Sequence, residues 1–253
     1  MDVAAIQRAL IARGYDLGRS GPSGRGDDGW AGARTRAALS AFQRAAGLPA
    51  TGAADEATIA ALLGPVPPAA APRPAAVIDP AWMPVAEMVR IVVHWTAGAH
   101  RASGLDRSHY HLLIEGDGTL VRGLPAIPDN QAPLRPGYAA HTLGCNTGAI
   151  GVSLCCMACA IESPFSAGPA PMTRTQWDRL PLVLAELCRR YAIPVTPRTV
   201  LSHAEVQGTL GLRQRGKWDI ARLAFDPGVV GAQACGDLFR ARTAAILAAR
   251  AAA

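Results

Sequence analysis

Hydrophobic positions in the first 64 residues recur at helical spacing in three short stretches. Val3, Ile6 and Leu10 share one side of a helix behind Asp2, whose carboxylate suits an N-cap, and Gly14 is expected to stop the segment. In "GARTRAALSAFQRAAG" (32–47) the stripe is Ala38, Leu39 and Phe42. In "ADEATIAALLG" (54–64) Ile59, Leu62 and Leu63 are expected to be buried, with Gly64 as the stop. The intervening "RSGPSGRGDDG" (19–29) is too rich in Gly, Ser and Pro to be anything but a loop.

Beyond residue 84 the pattern changes. "VRIVVHW" (89–95) and "AIGVSLCCM" (149–157) are apolar runs suited to strands buried on both faces. "YHLLIEGDGTLVRG" (110–123) reads as a hairpin turning at Gly116, Asp117 and Gly118. Thr173 and Gln176 form a capping-box signature ahead of a stripe of Leu180, Val183, Leu184, Leu187 and Tyr191, and Pro181 is expected to kink that helix or delay its start. "TVLSH" (199–203) is a short strand, and residues 235–252 form an alanine-rich terminal helix. The alternation predicts an α/β fold with a mixed central sheet flanked by helices, preceded by a small three-helix domain. Residues 65–84 hold seven prolines among alanines, a helix-breaking, donor-poor stretch that reads as a semi-rigid tether. The expected organisation is therefore a domain at 1–64, a linker at 65–84 and a domain at 85–253, the last large enough to bury roughly 70% of its unfolded surface.

Composition narrows the classes. Half of the 253 residues are hydrophobic but only 5% are aromatic, so burial must come from small side chains and a limited set of Leu, Val, Ile and Trp. The longest apolar run, Leu154 to Ile161, is far short of the ~20 residues of a membrane-crossing helix, so no stable membrane insertion is expected. A net charge of +6 favours an anionic partner, yet no Lys/Arg-rich run or nucleic-acid motif occurs, which argues against nucleic acid. Asp2 stands where a secretion signal would place basic residues, so synthesis in the cytoplasm without a signal peptide is expected. Three of the six cysteines (Cys155, Cys156, Cys159) crowd into one expected strand. That crowding suits reduced thiols packing as small hydrophobes better than a disulfide framework, and no second Cys-x-x-Cys completes a four-thiolate site with Cys156 and Cys159.

Only six histidines occur. His94 and His203 each end an expected buried strand, a placement at which two imidazoles can meet at the edge of a sheet. Asp219 follows in "RGKWDIARLAFDPG", with Asp226 as its rival. Two neutral imidazoles and one carboxylate suit a zinc ion that keeps a fourth position open, although separations of 109 and 16 residues match no short metal motif. His111 is expected to pack in the core, and His100 and His109 read as loop residues.

These segments, "IVVHWTAG", "HYHLLIEGDGTLVRG", "AHTLGCNTGAIGVSL", "VLSHAEV" and the Lys-x-Asp of "GKWD", resemble in order the zinc-dependent N-acetylmuramoyl-L-alanine amidases, the group related to phage lysins and peptidoglycan recognition proteins. The resemblance covers about residues 88–240. Likewise "DDGWAGARTRAALSAFQRAAGLPATGAADEATIAALL" resembles the three-helix peptidoglycan-binding repeat, with its Asp-Gly, Gly-x-x-Thr and Phe-Gln landmarks. The resemblance implies one zinc ion held by His94, His203 and Asp219, with Lys217 beside the scissile carbonyl and Tyr110 as the tyrosine of the phage-type branch. Other branches carry a glutamate at the Ser153 position, absent here, which leaves the general base open. By the same resemblance His141 contacts substrate. Trp95, next to His94, is a candidate sugar platform, although a tryptophan so placed more often serves packing. The implied partner is bacterial peptidoglycan and the implied reaction is cleavage of the amide between N-acetylmuramic acid and L-alanine, reached after release from the cell or as part of a phage-like particle. The competing expectation is a recognition protein that binds muropeptides without cutting them.

Overall fold

The computed structural model describes residues 2–13, 15–64 and 76–251. Gly14 and residues 65–75, which hold most of the expected tether, lie outside the described residues. The chain divides into two compact units at Ala75/Ala76.

The first unit consists of α1 (Val3–Ala12), α2 (Ala33–Ala45) and α3 (Glu56–Leu63) around Ile6, Leu10, Leu17, Ala38, Leu39, Phe42 and Leu62. Asp2 caps α1 by accepting from Ala5 N at 2.6 Å, and Asp55 caps α3 by accepting from Thr58 N at 2.8 Å. The face that α3 turns inward is Thr58 and Leu62, one turn apart, so Leu63 is 69% exposed and Ile59 only half-buried, contrary to the apolar pattern. Two buried glutamines tie the loops to this core. Gln7 donates to Asp28 Oδ1 (2.8 Å), Trp30 O (3.0 Å) and Thr35 Oγ1 (3.1 Å) and accepts from Gly29 N (2.7 Å). Gln43 donates to Thr51, Ala53 and Thr58 and accepts from Gly52 N (2.8 Å). The Asp-Gly, Gly-x-x-Thr and Phe-Gln landmarks are thus hydrogen-bonding partners that satisfy otherwise buried polar groups.

The second unit is a mixed α/β fold. Its strands are β1 (Arg90–Trp95), β2 (Leu112–Ile114), β3 (Leu120–Arg122), β4 (Ala149–Leu154) and β5 (Val200–Ser202), in the order β3-β2-β4-β1-β5. β1 is parallel to both β4 and β5, β2 is parallel to β4, and only β3 runs antiparallel. A short α4 (Gly104–His109) connects β1 to β2, α5 (Arg174–Tyr191) connects β4 to β5, and α6 (His203–Leu210) leaves β5 directly. A two-stranded ribbon, β6 (Arg222–Leu223) and β7 (Asp226–Val230), precedes the terminal α7 (Ala232–Ala251).

Strand alternation assigns the two faces. Ile91, Val93, Ile150, Val152, Leu112 and Ile114 belong to the main core with Leu180, Leu184 and Leu187 of α5 and Phe239 of α7. Val92, Ala149 and Leu201 face Val206 of α6 on the other side. Continuing that second face by steps of two reaches His94 and Ser153, which are register partners.

Several expectations from pattern are corrected. β4 ends at Leu154, so Cys155 and Cys156 lie just past the strand and are buried, while Cys159 is exposed at φ +55°. Burial pushes the Cys155 thiol up to about 12, consistent with inert packing. α5 continues through Pro181. The missing bond to Trp177 costs about 3 kcal/mol, less than burial of Leu180, Val183, Leu184 and Leu187 at ~1.5–3 kcal/mol each contributes. Residues 76–84, assigned by composition to the tether, pack on this unit: Ile78 and Met83 are buried, and Val77 N donates to Glu186 at 2.8 Å.

The junction between β5 and α6 rests on a buried ion pair. Glu205 accepts from Ser202 N (2.8 Å) and Ser202 Oγ (3.0 Å) and from both guanidinium nitrogens of Arg240 (3.1 and 2.8 Å). A Cβ on Gly236 of α7 would lie 2.4 Å from that carboxylate, so glycine is what admits it. Replacing Arg240 by Met leaves Glu205 buried without a counter-charge. We expect a loss of about 3–5 kcal/mol in urea unfolding, and an unchanged midpoint would remove the pair from the account of this junction.

Candidate active site

The site forms where the parallel strands end, as the geometry of such sheets favours. Val93 is the register partner of Ser202, so the next residues, His94 and His203, emerge side by side with ring centroids 4.8 Å apart. The segment after α6 returns across this edge and is pinned there by Ala204 N donating to Asp219 O at 2.6 Å. One carboxylate oxygen, Asp219 Oδ2, thereby lies 3.1 Å from His94 Nδ1 and 3.3 Å from His203 Nδ1. All three residues are buried, and among the described residues they are the one group whose donor atoms could share a metal ion.

Protonation states favour ligation. Burial pushes the His94 imidazole down to about 4, against the pull of Asp219. Burial alone would raise Asp219, but the facing imidazoles of His203 and His94 outweigh it and hold the carboxyl at about 2. At neutral pH, then, His94 is neutral and Asp219 charged. Two imidazole nitrogens and one carboxylate oxygen, all within 4.8 Å of one another, form a donor set that a zinc ion takes.

A cavity of about 510 Å³ opens over this group, and Tyr110, His141, His203, Lys217 and Asp219 are among its lining residues. Tyr110 is not a strand residue: it ends α4, with its ring 5.1 Å from that of His94. Burial first, and then the nearby charge of Asp219, push its hydroxyl above the ordinary tyrosine range, so it remains protonated. Lys217 is exposed on the cavity wall. Ser153, beside His94, is buried with Oγ unpartnered. Trp95 points to the face opposite His94, edge-to-face with Trp218 at 4.6 Å, and also borders the cavity. Asp226 opens β7 and is exposed, outside the cluster.

The other histidines separate clearly. His141 is buried with Nδ1 2.8 Å from Thr142 Oγ1 and 3.2 Å from His94 Nε2, and its Nε2 is 3.4 Å from Ala149 O. Its ring lies against Gly151, where any Cβ would come within 2.7 Å of it. His111 is a packed, neutral residue: its Nε2 meets Asn130 Oδ1 at 3.0 Å and its Nδ1 accepts from Gly151 N at 2.9 Å. His100 lies in a loop with Nε2 2.7 Å from Pro171 O, whereas His109 sits at the end of α4 and lines the cavity. Pattern reading missed Gln214, Asn146 and Tyr138, which also line the cavity. Asn146 accepts from the backbone N–H of both His141 and Thr142, so its position within "AHTLGCN" was the available signal.

The profile of the N-acetylmuramoyl-L-alanine amidase family matches residues 84–222, more than half of the chain. The chain belongs to that family. Residues 1–62 match the family described as "Putative peptidoglycan binding domain". Among solved structures, this amidase is similar to two from Clostridium intestinale URNW, the endolysin amidase LysCS and the amidase LysC. Each is 17% identical with a TM-score of 0.32, over 54% of this chain and 94% or 96% of theirs. It is also similar, at 19% identity and a TM-score of 0.31, to the complex of tracheal cytotoxin with the ectodomains of peptidoglycan recognition proteins LCa and LCx, over 47% of this chain and 71% of that one. No curated relative matches the chain. No helix among the described residues is long and apolar enough to cross a membrane.

Burial holds His111 at about 4, below its ordinary 6.5, so between these values the unfolded chain binds more protons than the folded one. Stability contributed by neutral His111 is therefore complete above pH 6.5 and declines as pH falls towards 4, by up to about 3 kcal/mol. Urea unfolding across that window should show a shallower pH slope for His111→Gln than for the natural chain. Identical slopes would assign the acid sensitivity elsewhere.

Proposed function

We propose that this amidase cleaves the amide between N-acetylmuramic acid and L-alanine in peptidoglycan at a zinc centre held by His94, His203 and Asp219. The observation that carries the proposal is the convergence of two Nδ1 atoms on one Asp219 oxygen beside an open cavity that His203 and Asp219 line. When bound there, zinc supplies Lewis-acid polarisation of the amide oxygen and lowers the pKa of water from about 15.7 towards about 7.

The protein's own groups do the rest. Lys217 reaches the cavity as a fixed positive charge suited to the oxyanion that develops on the scissile carbonyl. Tyr110, its hydroxyl kept protonated, donates a hydrogen bond that orients the attacking water or assists proton transfer to the departing L-alanine amine. His141 and Trp95 border the space that the sugar and first peptide residues would fill.

Residues 1–64 act in this reading as the wall-binding module and residues 65–75 as the connection to the catalytic unit that begins at Ala76. Tethering raises the effective concentration of substrate to about the millimolar range without new contacts. Peptidoglycan is the partner of both units.

Zinc content and release of amino termini from purified wall test the proposal together. About one equivalent of zinc with release supports the enzyme, and stable wall binding with no release supports a recognition protein instead. His203→Ala should abolish zinc binding and hydrolysis but keep wall association; hydrolysis retained by that variant would refute the ligand set. Lys217→Ala should lower turnover roughly a hundredfold or more with zinc still bound. Loss of zinc from the lysine variant would show that ligand and oxyanion partner have been wrongly separated.

A further inference from the structure

Gln214 is a buried polar residue that no motif singles out, and it makes a complete set of hydrogen bonds at the metal-ligand cluster. Its Oε1 lies 2.9 Å from His203 Nε2. Its Nε2 donates to Leu143 O (2.9 Å) and Leu212 O (3.2 Å), and its backbone N donates to Gln207 Oε1 (3.0 Å). His203 and Gln207 stand four residues apart on one face of α6, so this face clamps Gln214 by both side chain and backbone.

The amide cannot be reversed. Two carbonyl oxygens face one end of it, and only an NH2 group satisfies both, so the oxygen must face His203. An oxygen acceptor at 2.9 Å requires a proton on His203 Nε2, so Nδ1, 3.3 Å from Asp219 Oδ2, is the nitrogen whose lone pair a shared cation would take, in place of a proton held towards the carboxylate. The same arithmetic runs through the other ligand. His141 Nε2 faces the Ala149 carbonyl and carries the proton, so its Nδ1 accepts from Thr142 Oγ1, whose oxygen lies 3.4 Å from His94 Nε2 and can accept from it. His94 Nδ1, 3.1 Å from Asp219 Oδ2, is then the matching nitrogen for the shared cation.

We propose that Gln214 is a positioning residue of the amidase: it fixes the Nε2–H tautomer of His203 and aims Nδ1 into the cation site. Through Leu143 O it also fastens the wall that follows His141 and Thr142 to the segment leading to Lys217. The cation part of this inference rests on the zinc reading given above, whereas the tautomer part does not.

Long-range 1H–15N correlation spectra of the metal-free full chain at neutral pH read the tautomer directly. His203 should carry a proton on Nε2 in the natural protein and give it up for the Nδ1–H form facing Asp219 in Gln214→Leu. An Nδ1–H form in the natural protein would overturn the inference without recourse to any variant. Competition with a chromophoric chelator should show zinc affinity reduced about 10- to 100-fold in Gln214→Leu. Gln214→Glu keeps an acceptor opposite Nε2 but gives up both donors, so it should retain the tautomer and hold zinc more tightly than the leucine variant. Equal weakening in the two variants would mean that the tie to Leu143, not the acceptor, is what matters, and would overturn the assignment. If the natural chain takes up no zinc while His203 is the Nε2–H form, the zinc reading fails and the tautomer assignment stands.

Discussion

Asp219 Oδ2 is the point on which the catalytic unit turns. A buried carboxylate is costly unless charge and hydrogen bonds compensate it, and here the compensation comes from two imidazoles delivered by adjacent parallel strands. Parallel pairing of β1 with β5 brings residues 109 positions apart to within ring contact, and the bond from Ala204 N to Asp219 O closes the third side. Slipping either strand by one residue would turn its histidine to the opposite face of the sheet. Register and site are therefore the same constraint.

Around that point lies a layer of buried polar residues with their hydrogen bonds satisfied. Gln214 holds His203, the His141–Thr142 pair holds His94, Asn130 meets the His111 ring and ties down Ala139, and Asn146 holds the backbone of His141. Further back, Glu205 joins the cap of α6 to Arg240 on α7, so the terminal helix is tied to the residue preceding His203. Such a network is rigid because every break exposes a buried donor or acceptor. Ser153 is the exception, a buried hydroxyl beside His94 without a partner among the described residues.

The small N-terminal unit follows the same logic with fewer means. Among the described residues seven buried apolar side chains form its core, and Gln7 and Gln43 each draw a glycine-bearing loop onto a helix through side-chain amides. In a unit of this size, loops that were not tied down would leave polar backbone facing the core.

Local patterning along the sequence by itself determined the three N-terminal helices, β1, β4, β5, the β2–β3 hairpin, α5 and the terminal helix, because cap and strand signals are written in residues close together along the chain, and the ordered motifs carried the resemblance to the amidase family. It misjudged what depends on distant partners: that Pro181 is tolerated inside α5, that Leu63 faces outward, and that residues 76–84 join the second core. Only the tertiary structure decided which nitrogen of each imidazole faces Asp219, that Tyr110 sits at a helix end, and that Gln214 and Asn146 belong to the site. These features are set by contacts between segments as much as 125 residues apart, and hydrogen-bond geometry of that range leaves no periodicity in a linear chain.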